Sequence, residues 1–517
     1  MDVAYRPFKR EAVSGDNNSS RDLSETSGGG TPEEFLEESE KYFDFSFFHH
    51  DLDKVFPAEE EPIGDTGYTI SGRTVWAMFR AFYQHYYPHL PIFTRDFLDP
   101  KKLMQNEEKR PLFWAICTVT STHCAPELRV PLMSHTKSII YESQQITQST
   151  SITQCLVQIL SLLVLCYWQP VHHSTKEDET WLHVGRATFL AMQLGLHSSC
   201  TWLSDYYLYP INASEKRRTA ISALVWSACF VISQMAGGMV GLPCLAPINR
   251  RIYRVLARVG EYQPSMVHFY EKLKLMHALR DAIDTLGNSS DTESGLVDPT
   301  SRGVVHSTVL NSFSHLATTI QTECRYTELV FLSGKILIHS FLLSPDTLAK
   351  DRRAVALPLS TVCIKTISLC HHTMDSNTVI HSIPVYFPRL CVFATLILFG
   401  LTVSDELSPE VDVTACRNAV SEAYQLFAKL TSEQTDLSSR AMTIIDGLQE
   451  MDTLGLLPQP VFHVQTRLGA NGFFSLFLSF KRFQAQHGEI IPPERTISNL
   501  LNSVWDWDLQ SLVNQPL

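Results

Sequence analysis

From about Ser71 onward the chain repeats one pattern: apolar residues at three- and four-residue spacing, in blocks of about 12–20 residues, with few stretches of two-residue alternation. An apolar stripe that returns every 3.6 residues lines one side of a helix, so the pattern restricts the fold to packed helices. It predicts helices over 71–86, 110–122, 131–147, 151–167, 175–194, 214–237, 264–286, 304–322, 325–343, 358–374, 387–402, 411–431 and 435–452. The polar stretch "LGNSSDTESGLVDPTSRG", 286–303, reads as a long loop or as a subdivision of the helical body. No period near 34 or 40 residues recurs, which argues against a helical solenoid. The expected fold class is all-α: a single large irregular helical domain behind a disordered acidic N-terminal segment.

Four regions follow from composition. Residues 1–30 are polar, end in Ser-Gly-Gly-Gly and are expected to be disordered. Residues 31–70 form an acidic-aromatic segment and linker: 31–62 hold eleven Asp and Glu against two Lys, interleaved with Phe35, Tyr42, Phe43, Phe45, Phe47, Phe48 and Phe56. The helical domain spans 71–483. A tail, 484–517, closes on the acidic-aromatic "ISNLLNSVWDWDLQSL" with Trp505 and Trp507.

With 517 residues, 44% of them hydrophobic, the chain can bury at least one large core. Its formal net charge of −12 provides no overall positive field for nucleic acid or an anionic membrane. The start, Met1–Arg10, lacks the apolar core of a signal peptide. The longest apolar runs, Cys155–Trp168 and Leu390–Val403, fall short of the ~20 residues that cross a bilayer and read as buried helices, with no membrane partner. Twelve cysteines, nearly all inside apolar helical patterns, read as buried free thiols in a reducing compartment.

The block "HSTKEDETWLHVGRATFLAMQLGLHSSC", 173–200, reads as a helix with a written start and stop. Ser174 and Glu177 stand at capping-box spacing, and a helix from Thr175 to Leu194 would be about 30 Å long. Gly185, Ala187, Thr188 and Ala191 keep its surface low for close-packed neighbours. Gly195 and Leu196 fit a Schellman-type stop. His197, just past that stop, reads as a histidine bonded to a backbone carbonyl.

Chemistry-bearing constellations are sparse. There is no Cys-x2-Cys pair for a zinc site, and in the nearest cluster, Cys363, Cys370, His371 and His372, consecutive helical histidines point about 100° apart. The paired histidines at 49–50 and 172–173 lack acidic or cysteine partners at ligand spacing. Asp281-Ala-Ile-Asp284 is a fragment of the Asp-rich metal motif of an all-α terpene cyclase without its second half, and reads as a solvated face. No Gly-x-Ser-x-Gly elbow, Walker loop or dinucleotide fingerprint occurs. Gly237-Gly238-Met239-Val240-Gly241 follows an apolar helix and reads as its termination. Lys216-Arg217-Arg218 is the densest basic cluster, and three charges make a surface patch more readily than a nucleic-acid site.

Three blocks resemble the fungal-specific transcription factor domain, the middle homology region of zinc-binuclear-cluster regulators. In "FYQHYYPHLPIFTRDF", 82–97, the family's places are held by Phe82, Tyr87, Pro88, Pro91, Ile92 and Phe97. Its most specific block is matched by Trp181, Gly185, Ala187, Ala191, Leu194, Gly195, Leu196 and His197. The next is matched by Glu215, Arg217, Arg218, Trp226, Phe230, Gly241 and Pro243. Three departures occur in this last block. The family's Asp-Arg pair falls on Ser233-Gln234, the Arg of its Gly-Arg-Pro is Leu242, and the Arg cluster lies further upstream. The similarity extends over roughly 75–460. The family's cysteine-built zinc cluster would stand before residue 71, where no cysteine occurs, so the expectation is this domain without the zinc-cluster DNA reader.

The resemblance implies a nuclear fungal transcriptional regulator, an activator acting on a metabolic or biosynthetic gene set, with no enzyme activity and no cofactor. It would reach DNA only through a zinc cluster outside this sequence or through a partner, and a homo- or heterodimer is compatible with it. Phe43, Phe45, Phe47, Phe48, Trp505 and Trp507 are the candidate contacts to a coactivator or other regulatory protein, with carboxylates keeping the aromatics in solution. Three alternatives stand beside this reading: a lead-in segment that packs its aromatics on the helical body, an all-α enzyme of the terpene-cyclase type, and a helical scaffold or ligand-binding protein unrelated to transcription.

Overall fold

A computed structural model describes residues 60–65, 67–93, 97, 99–142, 151–169, 179–197, 215–247, 264–320, 324–375, 379–431, 436–465 and 467–487. Among them the only sheet is a two-stranded antiparallel hairpin, β1 (Ile63–Gly64) and β2 (Thr69–Ile70), with Ile63 opposite Ile70. Among the described residues the regular elements after it are all helices. In chain order the helices are α1 (Gly72–Ala81), α2 (Pro100–Gln105), α3 (Arg110–Cys124), α4 (Arg129–Glu142), α5 (Ile152–Tyr167), α6 (Thr180–Gln193), α7 (Glu215–Val240) and α8 (Pro264–Gly287). Then come α9 (Pro299–Thr318), α10 (Arg325–Ser340), α11 (Ala349–Asp375), α12 (Tyr386–Val403), α13 (Val413–Leu430), α14 (Leu437–Thr453) and α15 (Asn471–His487).

The all-α expectation holds, with boundary corrections that have local causes. Helix α9 starts at Pro299, five residues earlier than read, because Asp298 accepts a hydrogen bond from the Thr300 amide (2.9 Å) and proline suits the first helical turn. α11 starts at Ala349 rather than 358 and carries Pro358 inside it. α7 runs on through Gly237 and Gly238 to Val240, and the stop is Gly241 at φ +68°. α6 begins at Thr180, not near Thr175, and Ser174 with Glu177 lies outside the described residues. Helices α2 and α15 and a π-helical turn over Phe82–Tyr86 were not read from the sequence.

The helices pack in neighbouring pairs: α3 against α1, α4 and α5, α5 against α6, α6 against α7, α8 against α9 and α10, α10 against α11, and α12 against α11, α13 and α15. α12 is apolar almost all round and buried accordingly. Four stretches are long and apolar enough by composition to cross a bilayer, longer than the runs read from the sequence: Ile221–Val240, Arg325–Leu343, Ala349–Met374 and Tyr386–Val403. Inside the fold they are 89, 78, 50 and 83% buried, so three of them are largely covered by neighbouring helices.

Long-range polar ties join the end of α5 to the approach to α12. The Trp168 indole N–H donates to the Ser382 carbonyl (2.7 Å), the Val385 amide to the Tyr167 carbonyl (3.2 Å), and Arg389 to Gln169. After the 288–298 loop, Arg302, fully buried, donates to both carboxylate oxygens of Asp346 (2.7 and 2.8 Å), to Thr347 Oγ1 (2.7 Å) and to the Val297 carbonyl (2.8 Å). This guanidinium closes the loop onto the turn before α11.

Candidate functional site

The residues singled out in the second and third blocks come together where α6, α7 and the segment after α7 meet. α6 approaches α7 closely because both helices present small residues. A Cβ built on Gly237 would lie 3.2 Å from the Trp181 ring and 2.8 Å from the Leu242 carbonyl oxygen, and one on Gly185 would touch Leu245 at 3.5 Å. Val184, Ala187, Thr188 and Ala191 complete the buried face of α6. Its stop is a Schellman motif: Gly195 takes φ +72°, its amide donates to Met192 (2.9 Å), and the Leu196 amide reaches back to Ala191 (2.9 Å). Leu196 is buried behind it.

The His197 ring sits 5.7 Å from that of Trp226, and its Nδ1 is buried without a hydrogen bond to a described residue, so ring packing holds that side of the imidazole. Trp226 is fully buried and donates its indole N–H to the Pro247 carbonyl (2.9 Å). Where the family carries an Asp-Arg pair, Ser233 and Gln234 are buried, and Ser233 Oγ accepts the Leu245 amide (2.9 Å). Arg280 on α8 donates to the Ala246 carbonyl (3.2 Å). A hydrogen-bond cluster directed at backbone atoms thus holds 244–247 against α7 and α8. Gly241 is pinned from the other side, since a Cβ there would lie 2.2 Å from the Arg467 carbonyl oxygen. Pro243 is exposed, and Arg217 and Arg218 lie in the first turn of α7, where the side chains fall outside the described residues.

The first block builds an aromatic wall. The π-helical turn places Phe82, Tyr83 and Tyr86 inward, with Phe82 5.5 Å from Phe93 and Tyr86 5.4 Å from Trp168. Tyr87 is buried, its ring 5.6 Å from that of Tyr83, which donates its hydroxyl to the Phe97 carbonyl (3.1 Å). Pro91 and Phe97 are buried and Pro88 is exposed. Behind this wall lies a group that sequence reasoning missed. Lys272, 4% exposed, donates to Tyr167 Oη (2.8 Å) and to the His89 carbonyl (3.2 Å). Burial pulls its pKa down to about 8 and that of His89 down to about 3. Its partners lie 105 and 183 residues away, so no local signal marks it.

Among the described residues no three His, Cys, Asp or Glu side chains converge as metal ligands. Cys363 and Cys370 are buried and His372 is exposed. Asp281 and Asp284 lie along α8 beside His277 (3.7 Å) and Arg280 (3.4 Å). The eleven described cysteines are free thiols, eight of them buried. A cavity of about 20 Å³, bordered by Met133, Leu165, Lys137, Glu179 and His183, has room for about one water and none for an organic ligand. Phe43, Phe45, Phe47, Phe48, Trp505, Trp507, Cys200 and the histidine pairs at 49–50 and 172–173 lie outside the described residues. The junction is therefore an arrangement that fixes helices against one another. Its polar groups are directed mainly at backbone atoms.

Residues 80–243, from the aromatic wall to the proline after α7, match the family model of the fungal specific transcription factor domain. A putative transcription factor SEF1 of Eremothecium gossypii is 26% identical over 376 residues, covering 70% of this chain and 34% of that protein. One of the same description from Kluyveromyces lactis is 24% identical over 398 residues, 75% of this chain and 34% of that protein. The transcriptional regulatory protein SEF1 of Candida albicans is 24% identical over 348 residues, 65% of this chain and 36% of that protein. The chain thus corresponds to about a third of the length of these relatives. No solved structure matches it. The aromatic wall and the α6–α7 junction fall within the stretch, residues 80–243, that is similar to the fungal specific transcription factor domain.

Proposed function

We propose that this chain works as a fungal transcriptional regulator, with the helical body as a regulatory domain and the acidic-aromatic segments as its contacts to other proteins. The observation that carries the reading is the coincidence of the matched region, 80–243, with the close-packed junction of α6, α7 and the 241–247 segment. Residues that mark the domain are engaged in holding helices together. The names of the relatives point the same way, to regulation rather than catalysis.

In this reading the protein acts in the nucleus. Phe43, Phe45, Phe47 and Phe48 dock on a coactivator groove and fold as they bind, and Trp505 and Trp507 offer a second such contact. The helical domain holds or releases the segment, and DNA is reached through a zinc cluster outside this sequence or through a partner, as a homo- or heterodimer. Fused to an unrelated DNA-binding domain, residues 31–62 are expected to activate a reporter gene, and replacing the four phenylalanines by Ala to abolish the signal. Equal activation by the Ala version would remove the aromatics as docking residues. An inert parent fusion would assign the segment to packing on the helical body.

A further inference from the structure

Helix α11 stands apart from the other long apolar helices. It runs for 27 residues, yet only half of its apolar stretch is buried, against 78–89% for the other three. The exposed residues keep to one side, since Lys350, Leu357, Thr361, Lys365 and His372 recur at seven- and four-residue spacing, one or two helical turns, over a length of about 33 Å. Leu357 is 56% exposed at its centre. The charges that α11 itself places on this face have one sign. Lys350 and Arg353 are exposed and form no ion pair among the described residues, and Lys365, paired with Glu328 (2.6 Å), keeps 60% of its side chain exposed. Asp351, the acidic residue nearest to them on the helix, turns away toward Gly303 of α9. A chain of net charge −12 thus displays a basic face with an apolar centre.

We propose that this face of α11 is the docking surface of the chain's own acidic-aromatic segment, residues 31–59. The inference rests on reading that segment as an interaction segment and adds where it is held. Complementarity is the first reason: residues 31–59 contain nine Asp and Glu against two Lys, with seven aromatic side chains among them to cover Leu357. Carboxylates set against Lys350 and Arg353 orient the segment, and aromatic burial on Leu357 and Pro358 supplies the non-directional attraction. Reach is the second. The segment joins the fold at Glu60, which pairs with Arg73 on α1 (2.7 Å). Its 29 residues span up to about 100 Å when extended. The π-helical turn that continues α1 packs against the 380–382 turn shortly after the C-terminal end of α11, so the two attachment points lie on connected elements.

The test is zero-length carbodiimide cross-linking of the full chain, read by mass spectrometry of the monomer fraction. The expected result is cross-links from carboxylates in 33–59 to Lys350 and Lys365, falling about fivefold when salt is raised to 0.5 M. The double substitution K350E/R353E is expected to abolish those to Lys365 as well, at an unchanged melting temperature. Cross-links confined to a covalent dimer would assign the face to a second copy and overturn the proposal. So would cross-links scattered over many lysines and indifferent to K350E/R353E. If the double variant is unstable, the salt response of the unmodified chain decides. The reporter fusion separates this inference from the reading beneath it: an inert fusion with intact cross-links leaves docking standing and removes activation, and an active fusion without cross-links does the reverse.

Discussion

At Gly241 two constraints fall on one Cα. The backbone is left-handed there, and the Arg467 carbonyl oxygen occupies the space of a side chain. Gly241→Ala is therefore expected to cost more than Gly455→Ala, where a Cβ would meet nothing within 4 Å and the left-handed conformation alone is at stake. About 1 kcal/mol is expected for the latter and roughly 2–4 kcal/mol for the former, measured by urea denaturation. Arg302→Ala, which removes a fully buried guanidinium and its bonds to Asp346, Thr347 and the Val297 carbonyl, is expected to cost roughly 2–3 kcal/mol. A pH dependence follows from His306 and His339, whose rings share a 3.2 Å hydrogen bond inside the fold. Burial pushes their pKa values down to about 4 and about 3, below the ~6.5 of an unfolded histidine, so the unfolded chain binds more protons as pH falls. Their contribution to stability is complete above about pH 6.5 and is lost as pH falls through the window down to about 3. Chemical denaturation of His339→Phe at several pH values is expected to show a shallower acid slope. Gly195 and Leu196 were legible because a Schellman stop is written in adjacent residues. Arg302, Lys272 and the histidine pair were not, because each finds its partner 33 to 183 residues away.

Among the elements, helices declared themselves by periodicity and their ends by capping chemistry. Thirteen of the described helices were foreseen. α2, at six residues, is too short to show a period, and α15 opens on Gly-Ala-Asn-Gly, which resembles a loop. There the Asn471 side chain instead accepts the Arg467 amide (2.7 Å) and closes the chain onto the helix start. α11 was shortened in the reading by Pro358, a helix breaker by rule. The helix tolerates it because the Ala354 carbonyl that loses its donor lies on the solvent face. Pro358→Ala restores that bond and is expected to raise the melting temperature, by the equivalent of about 1–3 kcal/mol. A lower melting temperature would mean that the proline shapes the helix. Of the candidate site, the small residues of α6 were legible as a close-packing signal. The hydrogen bond of Ser233 was not, because its partner amide belongs to a loop twelve residues on.

For the whole molecule, net charge and the scarcity of basic clusters govern what it does with nucleic acid. Specific binding needs several phosphate contacts together with side chains aimed at base edges. This chain alone is expected to bind duplex DNA weakly and without sequence preference at physiological salt, as read by fluorescence anisotropy. Sequence-specific nanomolar binding would overturn that expectation. The purified chain is also expected to carry no stoichiometric zinc, and elemental analysis near two zinc per chain would show the cysteines misread. The tie between Trp168 and Ser382 has a consequence in time. The two residues are 214 positions apart, and at about 5–20 residues per second a ribosome needs roughly 10–40 s to deliver the second after the first. Through that interval the Trp168 indole N–H lacks the Ser382 carbonyl that accepts its hydrogen bond. The tie therefore closes only after α6 to α11 have been made, and a chain truncated before residue 382 is expected to lack it.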